Sequence, residues 1–130
     1  MNAATDTDDP PKRVLVVEDS PVVSLDAEEV LSSCGFHVVG PAPNMAMGLE
    51  LAQKEQIDVA VVDLNLRGGK AFPILRVLAE RDIPFLVTSG YADWTMPDEW
   101  LDRPRLSKPY SAELLTRSLA EILESKPLSA

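Results

Sequence analysis

The stretch that decides the fold is Val14-Leu15-Val16-Val17-Glu18-Asp19-Ser20, in which four consecutive apolar residues run directly into two carboxylates. A short apolar run rich in β-branched residues predicts a strand buried on both faces, as in a parallel sheet covered by helices. Similar runs recur along the chain, and residues 105–108 are predicted as a fifth strand. The other runs are Phe36-His37-Val38-Val39, Val59-Ala60-Val61-Val62 and Phe85-Leu86-Val87.

Helical patterns fill the gaps between these runs, which predicts a single α/β domain with right-handed crossovers. Gly35 is placed to end the first helix, as glycine does at helix C-termini. Residues 91–104 show no convincing helical stripe, and we expect a loop with a short, poorly defined helix there. Predicted helices begin at Ser20-Pro21 and Asn44, and two more cover about 71–81 and 111–124.

Length, charge and cysteine content restrict the function. The 130 residues fit one domain, predicted at 12–125 between a disordered lead-in at 1–11 and a tail at 126–130, with no effector domain. The net charge of −9 disfavours nucleic acid or an anionic membrane surface as a partner. The single cysteine, Cys34, excludes an intrachain disulfide and is predicted to be a small core residue. With no long apolar run and no signal peptide pattern, we expect a cytoplasmic protein.

Polar side chains follow four of the predicted strands, at the point where each apolar run stops. Because the carboxyl ends of parallel strands meet at one edge of a sheet, these groups are predicted to share a pocket. A single aspartate at a strand end is usually a cap or turn former, so their joint placement carries the prediction. The groups are Glu18 and Asp19, then Asp63, then Thr88 and Ser89, and finally Lys108.

The chemistry of this set points to phosphoryl transfer. Crowded carboxylates repel one another, and hard oxygen ligands of this kind suit Mg²⁺. With the ion bound, Asp63 could attack a phosphoryl group in line, while Lys108 and the Thr88 hydroxyl bind phosphoryl oxygens. Ser89 and Gly90 are small residues that leave room for a phosphoryl donor.

The same residues resemble the signature blocks of response-regulator receiver domains, over about residues 13–123. The resemblance implies a flavodoxin-like (CheY-like), doubly wound sheet of five parallel strands in the order 2-1-3-4-5, with helices on both faces. The blocks are residues 14–20, Val61-Val62-Asp63-Leu64-Asn65-Leu66, Thr88-Ser89-Gly90-Tyr91 and Lys108-Pro109-Tyr110.

The resemblance also assigns roles to individual residues. It makes Asp63 the phospho-acceptor and Thr88 the switch hydroxyl. It makes Lys108 the family's lysine, whose bond to Pro109 is usually cis. The acidic pair is Glu18 with Asp19, and the implied Mg²⁺ ligands are Asp19, Asp63 and the backbone carbonyl of Asn65.

One position departs from the family pattern. Receivers commonly carry a Tyr or Phe three residues before the lysine, which swings inward on phosphorylation, and this chain has Arg105 there. Residues 85–91 instead resemble the subgroup nicknamed FAT GUY, for a Phe-Ala-Thr-Gly-Tyr-like fourth strand, which lacks that aromatic and often stands alone. We therefore expect Tyr91, or the segment 91–104 with Trp94 and Trp100, to transmit the signal. Such a segment, with few buried apolar contacts, reorders cheaply.

The implied function is a stand-alone response regulator of a two-component phosphorelay. It would be phosphorylated on Asp63 by a sensor histidine kinase, or by a histidine phosphotransfer protein, in a Mg²⁺-dependent reaction. The partner is expected to dock near the first helix, where Val22 is predicted to point outward. Output would pass through protein contact or through a role as phosphate sink or shuttle. A homodimer, if formed, would use the face of the fourth helix, fifth strand and fifth helix.

Two other functions remain open at this point. One is a receiver-like interaction module that takes no phosphoryl group. The other is a small Mg²⁺-dependent aspartyl phosphatase, although those enzymes place Asp-x-Asp after the first strand and this chain has Glu18-Asp19 there. A histidine phosphotransfer domain is excluded, because the single histidine, His37, lies in a predicted strand and not on an exposed helix.

Overall fold

The structure is a computed structural model that describes residues 10–90, 98–100 and 102–125. Strands and helices alternate along these ranges. In chain order they are β1 (Arg13–Val17), α1 (Pro21–Ser33), β2 (His37–Ala42), α2 (Met45–Lys54), β3 (Val59–Asp63), α3 (Phe72–Glu80), β4 (Phe85–Ser89), β5 (Arg105–Ser107) and α4 (Ala112–Ser125). A short antiparallel ribbon pairs Asn65–Leu66 with Gly69–Lys70, and Asp98–Trp100 forms a 3-10 helix.

The strands form one parallel sheet in the order β2-β1-β3-β4-β5, so the predicted order 2-1-3-4-5 is confirmed. Every residue of β3 and of β4 is buried, as expected for strands covered on both faces. Alternate residues of β3 face opposite layers: Ala60 and Val62 belong to the core with α2 and α3, and Val59 and Val61 to the core with α1 and α4. Each fully buried aliphatic side chain contributes roughly 1.5–3 kcal/mol, so both layers stabilise the sheet.

The helix boundaries follow from local side-chain chemistry. The Ser20 hydroxyl accepts the Val23 N–H at 3.4 Å, and the Asn44 side chain accepts the Met47 N–H at 2.9 Å, so both predicted N-caps are confirmed. Gly35 has a φ of +93°, a conformation that glycine adopts without strain, and it turns the chain away from α1. The prediction that Cys34 lies in the core is wrong: its side chain is exposed, because the helix has already ended at Ser33.

The segment before β5 is only partly described. The 3-10 helix Asp98–Trp100 agrees with the predicted short helix, while residues 91–97, including Tyr91 and Trp94, lie outside the described residues. Trp100 is only 3% exposed, and its ring centroid lies 6.0 Å from that of Phe85 and 6.3 Å from that of Phe72. The expectation of few buried apolar contacts is therefore wrong for Trp100, which fills the space between α3 and β4 with a large aromatic ring.

A few large apolar side chains remain exposed on the described surface. Val22 on α1 is 77% exposed, so the prediction that it points outward is confirmed, and Leu25 on the same helix is 55% exposed. Met47 on α2 and Leu114 on α4 are the other large apolar residues that are exposed in the described ranges. None of the described helices has the length and apolar character needed to cross a membrane.

Candidate functional site

Three carboxylates meet where β1 and β3 end. Glu18 and Asp19 follow β1, and Asp63 is the last residue of β3. The two strands are neighbours with Val17 opposite Val62, so the residues that follow are brought side by side. One oxygen from each carboxylate lies within 4.8 Å of the others, and Glu18 and Asp63 are buried. The predicted convergence at the carboxyl edge of the sheet is confirmed.

Lys108 reaches this cluster from the edge of the sheet. Its Nζ lies 2.8 Å from Glu18 Oε1 and 3.0 Å from Asp63 Oδ2, so one ammonium bridges two buried carboxylates. The backbone N–H of Lys108 donates to the carbonyl of Ser89 at 2.8 Å, which fixes the lysine to the end of β4. The peptide bond between Lys108 and Pro109 is cis, as the resemblance implies.

The charges in this set do not cancel. Glu18, Asp19 and Asp63 carry three negative charges when ionised, and Lys108 supplies one positive charge, which leaves two negative charges uncompensated among these four residues. Burial raises the pKa of Glu18 above its usual value, although hydrogen bonds from Lys108 and from the Ser20 N–H oppose this. Burial would lower the pKa of Lys108, but its hydrogen bonds to Glu18 and Asp63 outweigh burial and raise it. A dication would match the remaining charge.

Thr88, Ser89 and Asn65 complete the site on its other side. Thr88 is buried and lies directly opposite Asp63 in the pairing of β3 with β4. The backbone N–H of Asn65 donates to Asp63 Oδ1 at 3.2 Å, and its side-chain Nδ2 donates to Ser89 Oγ at 3.1 Å. A Cβ on Gly90 would lie 3.9 Å from the Lys108 side chain, which is ordinary contact, so Gly90 flanks the lysine without being sterically required.

Of the predicted switch residues Arg105 and Tyr91, the structure describes only Arg105. Arg105 is exposed at the start of β5 and pairs with Val87, while the residue beside Thr88 is Leu106. Tyr91 lies outside the described residues, so its predicted role stays a prediction.

Sequence reasoning missed Tyr110, which is half-buried next to the site. Its pKa is raised by burial and by the charge of Glu18. The sequence signal that could have placed Tyr110 beside the site was its position directly after Lys108-Pro109.

The comparisons with known proteins identify the family. The model of the response regulator receiver domain matches residues 14–120. The chain belongs to this family. The solution structure of SdrG from Sphingomonas melonis Fr1 is similar, with 34% identity, a TM-score of 0.76, and coverage of 88% of this chain and 98% of that chain. A CheY-like receiver domain protein from Methanospirillum hungatei JF-1 shares the fold at 21% identity, with a TM-score of 0.81 and coverage of 89% and 96%.

Curated relatives of this receiver domain are longer proteins. The regulatory protein VirG of Rhizobium rhizogenes is 30% identical over 121 residues, which are 89% of this chain and 50% of VirG. The transcriptional regulatory protein PdtaR of Mycobacterium tuberculosis is 26% identical over 105 residues, which are 78% of this chain and 51% of PdtaR. The chain thus spans about half the length of these relatives.

Receiver domains generally bind Mg²⁺ at an acidic pocket, and the residues of this site fit that ion. Mg²⁺ prefers one or two carboxylates together with waters and phosphate oxygens. The carboxylates of Glu18, Asp19 and Asp63 offer oxygen ligands within 4.8 Å of one another. We predict that Asp19, Asp63 and the Asn65 carbonyl hold the ion, with Glu18 beside them.

Mg²⁺ should stabilise the receiver domain, because it binds the folded carboxylate cluster and not the unfolded chain. At a hundred times the dissociation constant, the expected gain in the free energy of unfolding is about 2.7 kcal/mol. Asp19→Asn should weaken Mg²⁺ binding about tenfold or more, because a full charge next to the ion is lost. The same change should raise the melting temperature without Mg²⁺, because it relieves repulsion.

Asp82→Asn is the matched control for this experiment. Asp82 is exposed between α3 and β4, away from the cluster, and its φ of +60° is one that asparagine tolerates. Isothermal titration calorimetry would measure the Mg²⁺ affinity, and thermal melts would measure the melting temperature without Mg²⁺. Equal Mg²⁺ affinities for Asp19→Asn and Asp82→Asn would contradict the metal site.

Proposed function

We propose that this receiver domain accepts a phosphoryl group on Asp63 from a phosphohistidine of a sensor histidine kinase or of a histidine phosphotransfer protein. Receiver domains typically interact with histidine kinases, and the family is one of signalling domains, not of true enzymes. The observation that supports the assignment is the position of Asp63: its carboxylate is buried, is bridged by Lys108 to Glu18, and lies opposite Thr88. The proposal places the chain in the cytoplasm.

The reaction can be written from these contacts. A carboxylate oxygen of Asp63 attacks the phosphorus, the bond between phosphorus and the histidine nitrogen breaks, and an acyl phosphate forms on Asp63 as the histidine leaves. Lys108, which holds Asp63 Oδ2 at 3.0 Å, is placed to bind an oxygen of the transferred group. The hydroxyl of Thr88 can donate a hydrogen bond to a second oxygen of the transferred phosphoryl group. Mg²⁺, when bound, neutralises charge on the phosphoryl oxygens.

A groove beside the site supports docking at α1. It has a volume of about 630 Å³ and joins α1 to the residues that follow β5, so Lys108 lies at its wall. Val22 and Leu25 give it exposed apolar surface, and Asp26 and Glu29 give it negative charge. We expect the partner to present an apolar side chain with a Lys or Arg nearby. The residues lining the groove are Val22, Val23, Leu25, Asp26, Glu29, Lys108, Pro109 and Tyr110.

The proposed output is protein contact, or a role as phosphate sink or shuttle. A homodimer through the face of the predicted fourth helix, β5 and α4 stays a proposal, since residues 91–97 and 101, within the stretch where that helix was expected, lie outside the described residues. The solution structure of a BeF3-activated conformation of SdrG, 36% identical to this chain, shows that one such relative has an activated state. Because Arg105 replaces the usual aromatic, we propose that a shift of Thr88 passes along β4 to Phe85 and Trp100.

With Mg²⁺ and acetyl phosphate, the chain should gain the mass of one phosphoryl group, measured on the intact protein. Asp63→Asn should abolish the gain, because the attacking carboxylate is removed, while Asp82→Asn should label like the wild type. Labelling of Asp63→Asn at the wild-type rate would refute the assignment. A wild type that takes no label from acetyl phosphate or from a phosphorylated kinase would indicate an interaction module. Steady turnover of simple phosphate esters would indicate a phosphatase.

Val22→Glu should slow phosphotransfer from the partner kinase about tenfold, because it puts a charge into an apolar contact. Labelling by acetyl phosphate should stay nearly unchanged, because that donor needs no docking surface. Met47→Glu is the matched control, since it adds the same charge at another exposed apolar residue, on α2. Equal loss with both donors would instead mean that Val22→Glu damages the site or the fold.

The switch can be followed through tryptophan fluorescence. In a Trp94→Phe background Trp100 is the sole tryptophan of the chain, so its emission reports on the contact with Phe85. Addition of beryllofluoride with Mg²⁺ should change this emission, and the change should vanish in Asp63→Asn. Unchanged emission while NMR confirms the bound analogue would mean that Trp100 is a fixed cover of the core.

A further inference from the structure

Tyr110 is a titratable side chain that the reaction described above does not use. Its half-buried ring packs against the apolar layer between the sheet, α1 and α4, which includes Leu106 and Leu115. Tyr110 also lines the groove beside α1, at the same wall as Lys108. A ring held by the core thus carries a phenol hydroxyl into the region where the groove meets the site.

Charges from the site and from the groove both act on the Tyr110 hydroxyl. Burial raises its pKa most, the charge of Glu18 raises it further, and Lys108 opposes them. Asp63, in the site, and Asp26, in the groove, also raise the pKa. The hydroxyl therefore lies within electrostatic reach of both regions, and it keeps its proton at neutral pH.

The groove leads from α1 to the phospho-acceptor. Lys108 lies at its wall, and Lys108 Nζ donates to Asp63 Oδ2 at 3.0 Å. The volume of about 630 Å³ leaves room for a histidine side chain. Asp26 and Glu29 give the groove a negative charge, which favours a protonated, cationic ring over a neutral one. A phosphohistidine that enters here would bring its phosphoryl group to Asp63 while its ring stays in the groove.

We propose that the Tyr110 hydroxyl binds the imidazole of the incoming phosphohistidine, at the ring nitrogen that does not carry the phosphorus, and so favours departure of the ring. The inference rests on the proposed phosphotransfer to Asp63 and deepens it, because it assigns a residue that recognises the leaving group.

The step can be written with its protons and electrons. An oxygen of Asp63 forms a bond to phosphorus as the bond between phosphorus and nitrogen breaks, and the electron pair of that bond stays on the nitrogen. The ring leaves as neutral imidazole because its other nitrogen already carries a proton. This N–H donates to the Tyr110 oxygen, and the proton stays on the ring. A donor without an imidazole gains nothing from the contact.

The test uses Tyr110→Phe, which keeps the packed ring and removes only the hydroxyl. Three small donors are compared with Mg²⁺ by intact mass: phosphoimidazole has the ring, phosphoramidate has a phosphorus–nitrogen bond without a ring, and acetyl phosphate has neither. These donors need no docking surface, so they separate the ring contact from partner binding. Rates are measured below donor saturation, where they report the transition state relative to the free protein and donor.

In Tyr110→Phe the rate with phosphoimidazole, divided by the rate with acetyl phosphate, should fall about three- to tenfold, the range that one hydrogen bond can supply. The same quotient for phosphoramidate should keep its wild-type value. Ser24→Ala is the matched control, because it removes a hydroxyl on α1 that donates to the Pro21 carbonyl at 3.3 Å and does not line the groove. It should leave both quotients unchanged.

The outcomes separate this inference from the proposed function. An unchanged phosphoimidazole quotient in Tyr110→Phe overturns the inference alone. An equal fall with phosphoramidate also overturns it, because the hydroxyl would then act on the phosphoryl group and not on the ring. A wild type that takes no label from any of the three donors overturns the proposed function together with it.

Discussion

The bridge from Lys108 to Glu18 and Asp63 is the contact on which the rest of the site depends. It joins Glu18 after β1, Asp63 at the end of β3 and Lys108 after β5, so it depends on parallel strands whose carboxyl ends meet at one edge of the sheet. Removing one partner of a buried ion pair typically costs about 3–5 kcal/mol, because the other charge stays buried without compensation. With two carboxylates sharing one ammonium, the bridge holds the acidic cluster together but leaves it short of positive charge. A divalent cation would offset this shortfall, which supports the predicted Mg²⁺ site.

The apolar layers make this arrangement possible. The strands β3 and β4 are buried along their whole length. Because a close-packed core allows little displacement, the positions of their end residues are fixed as well. Backbone hydrogen bonds then continue past the strands: the Leu64 N–H donates to the Thr88 carbonyl, and the Lys108 N–H donates to the Ser89 carbonyl, both at 2.8 Å. The loops that carry the polar groups are therefore extensions of the sheet, so the Asp63 carboxylate is held beside Thr88 and the Lys108 ammonium without a separate scaffold.

The sequence predicted those features that depend on local pattern. Apolar runs located the strands, and the polar residues directly after them located the site, because strand ends in a parallel sheet converge by geometry alone. The caps at Ser20 and Asn44 were equally predictable from side-chain chemistry. Contacts that depend on tertiary packing were not: Cys34 was assigned to the core although its helix ends one residue earlier, and Trp100 was assigned to a loosely packed segment although it fills the gap beside Phe85. The bond between Asn65 and Ser89 joins residues 24 apart in the chain through particular side-chain rotamers, which no periodicity encodes.

The replacement of the usual aromatic by Arg105 changes how a signal could leave the site. In the usual pattern an aromatic ring rotates inward beside the threonine, and this rotation transmits the signal. Here the residue next to Thr88 in β5 is Leu106, which is buried. The strand β4 itself can then respond to a change at the site. The Thr88 carbonyl accepts the Leu64 N–H, and Phe85, at the other end of β4, packs edge-on against Trp100. Trp100 also packs against Phe72, at the start of α3, the helix that follows the Asp63 loop. The strand β4, which lies beside Asp63, and α3, which follows the Asp63 loop, thus meet again at Trp100, and a displacement of β4 relative to α3 would alter that contact.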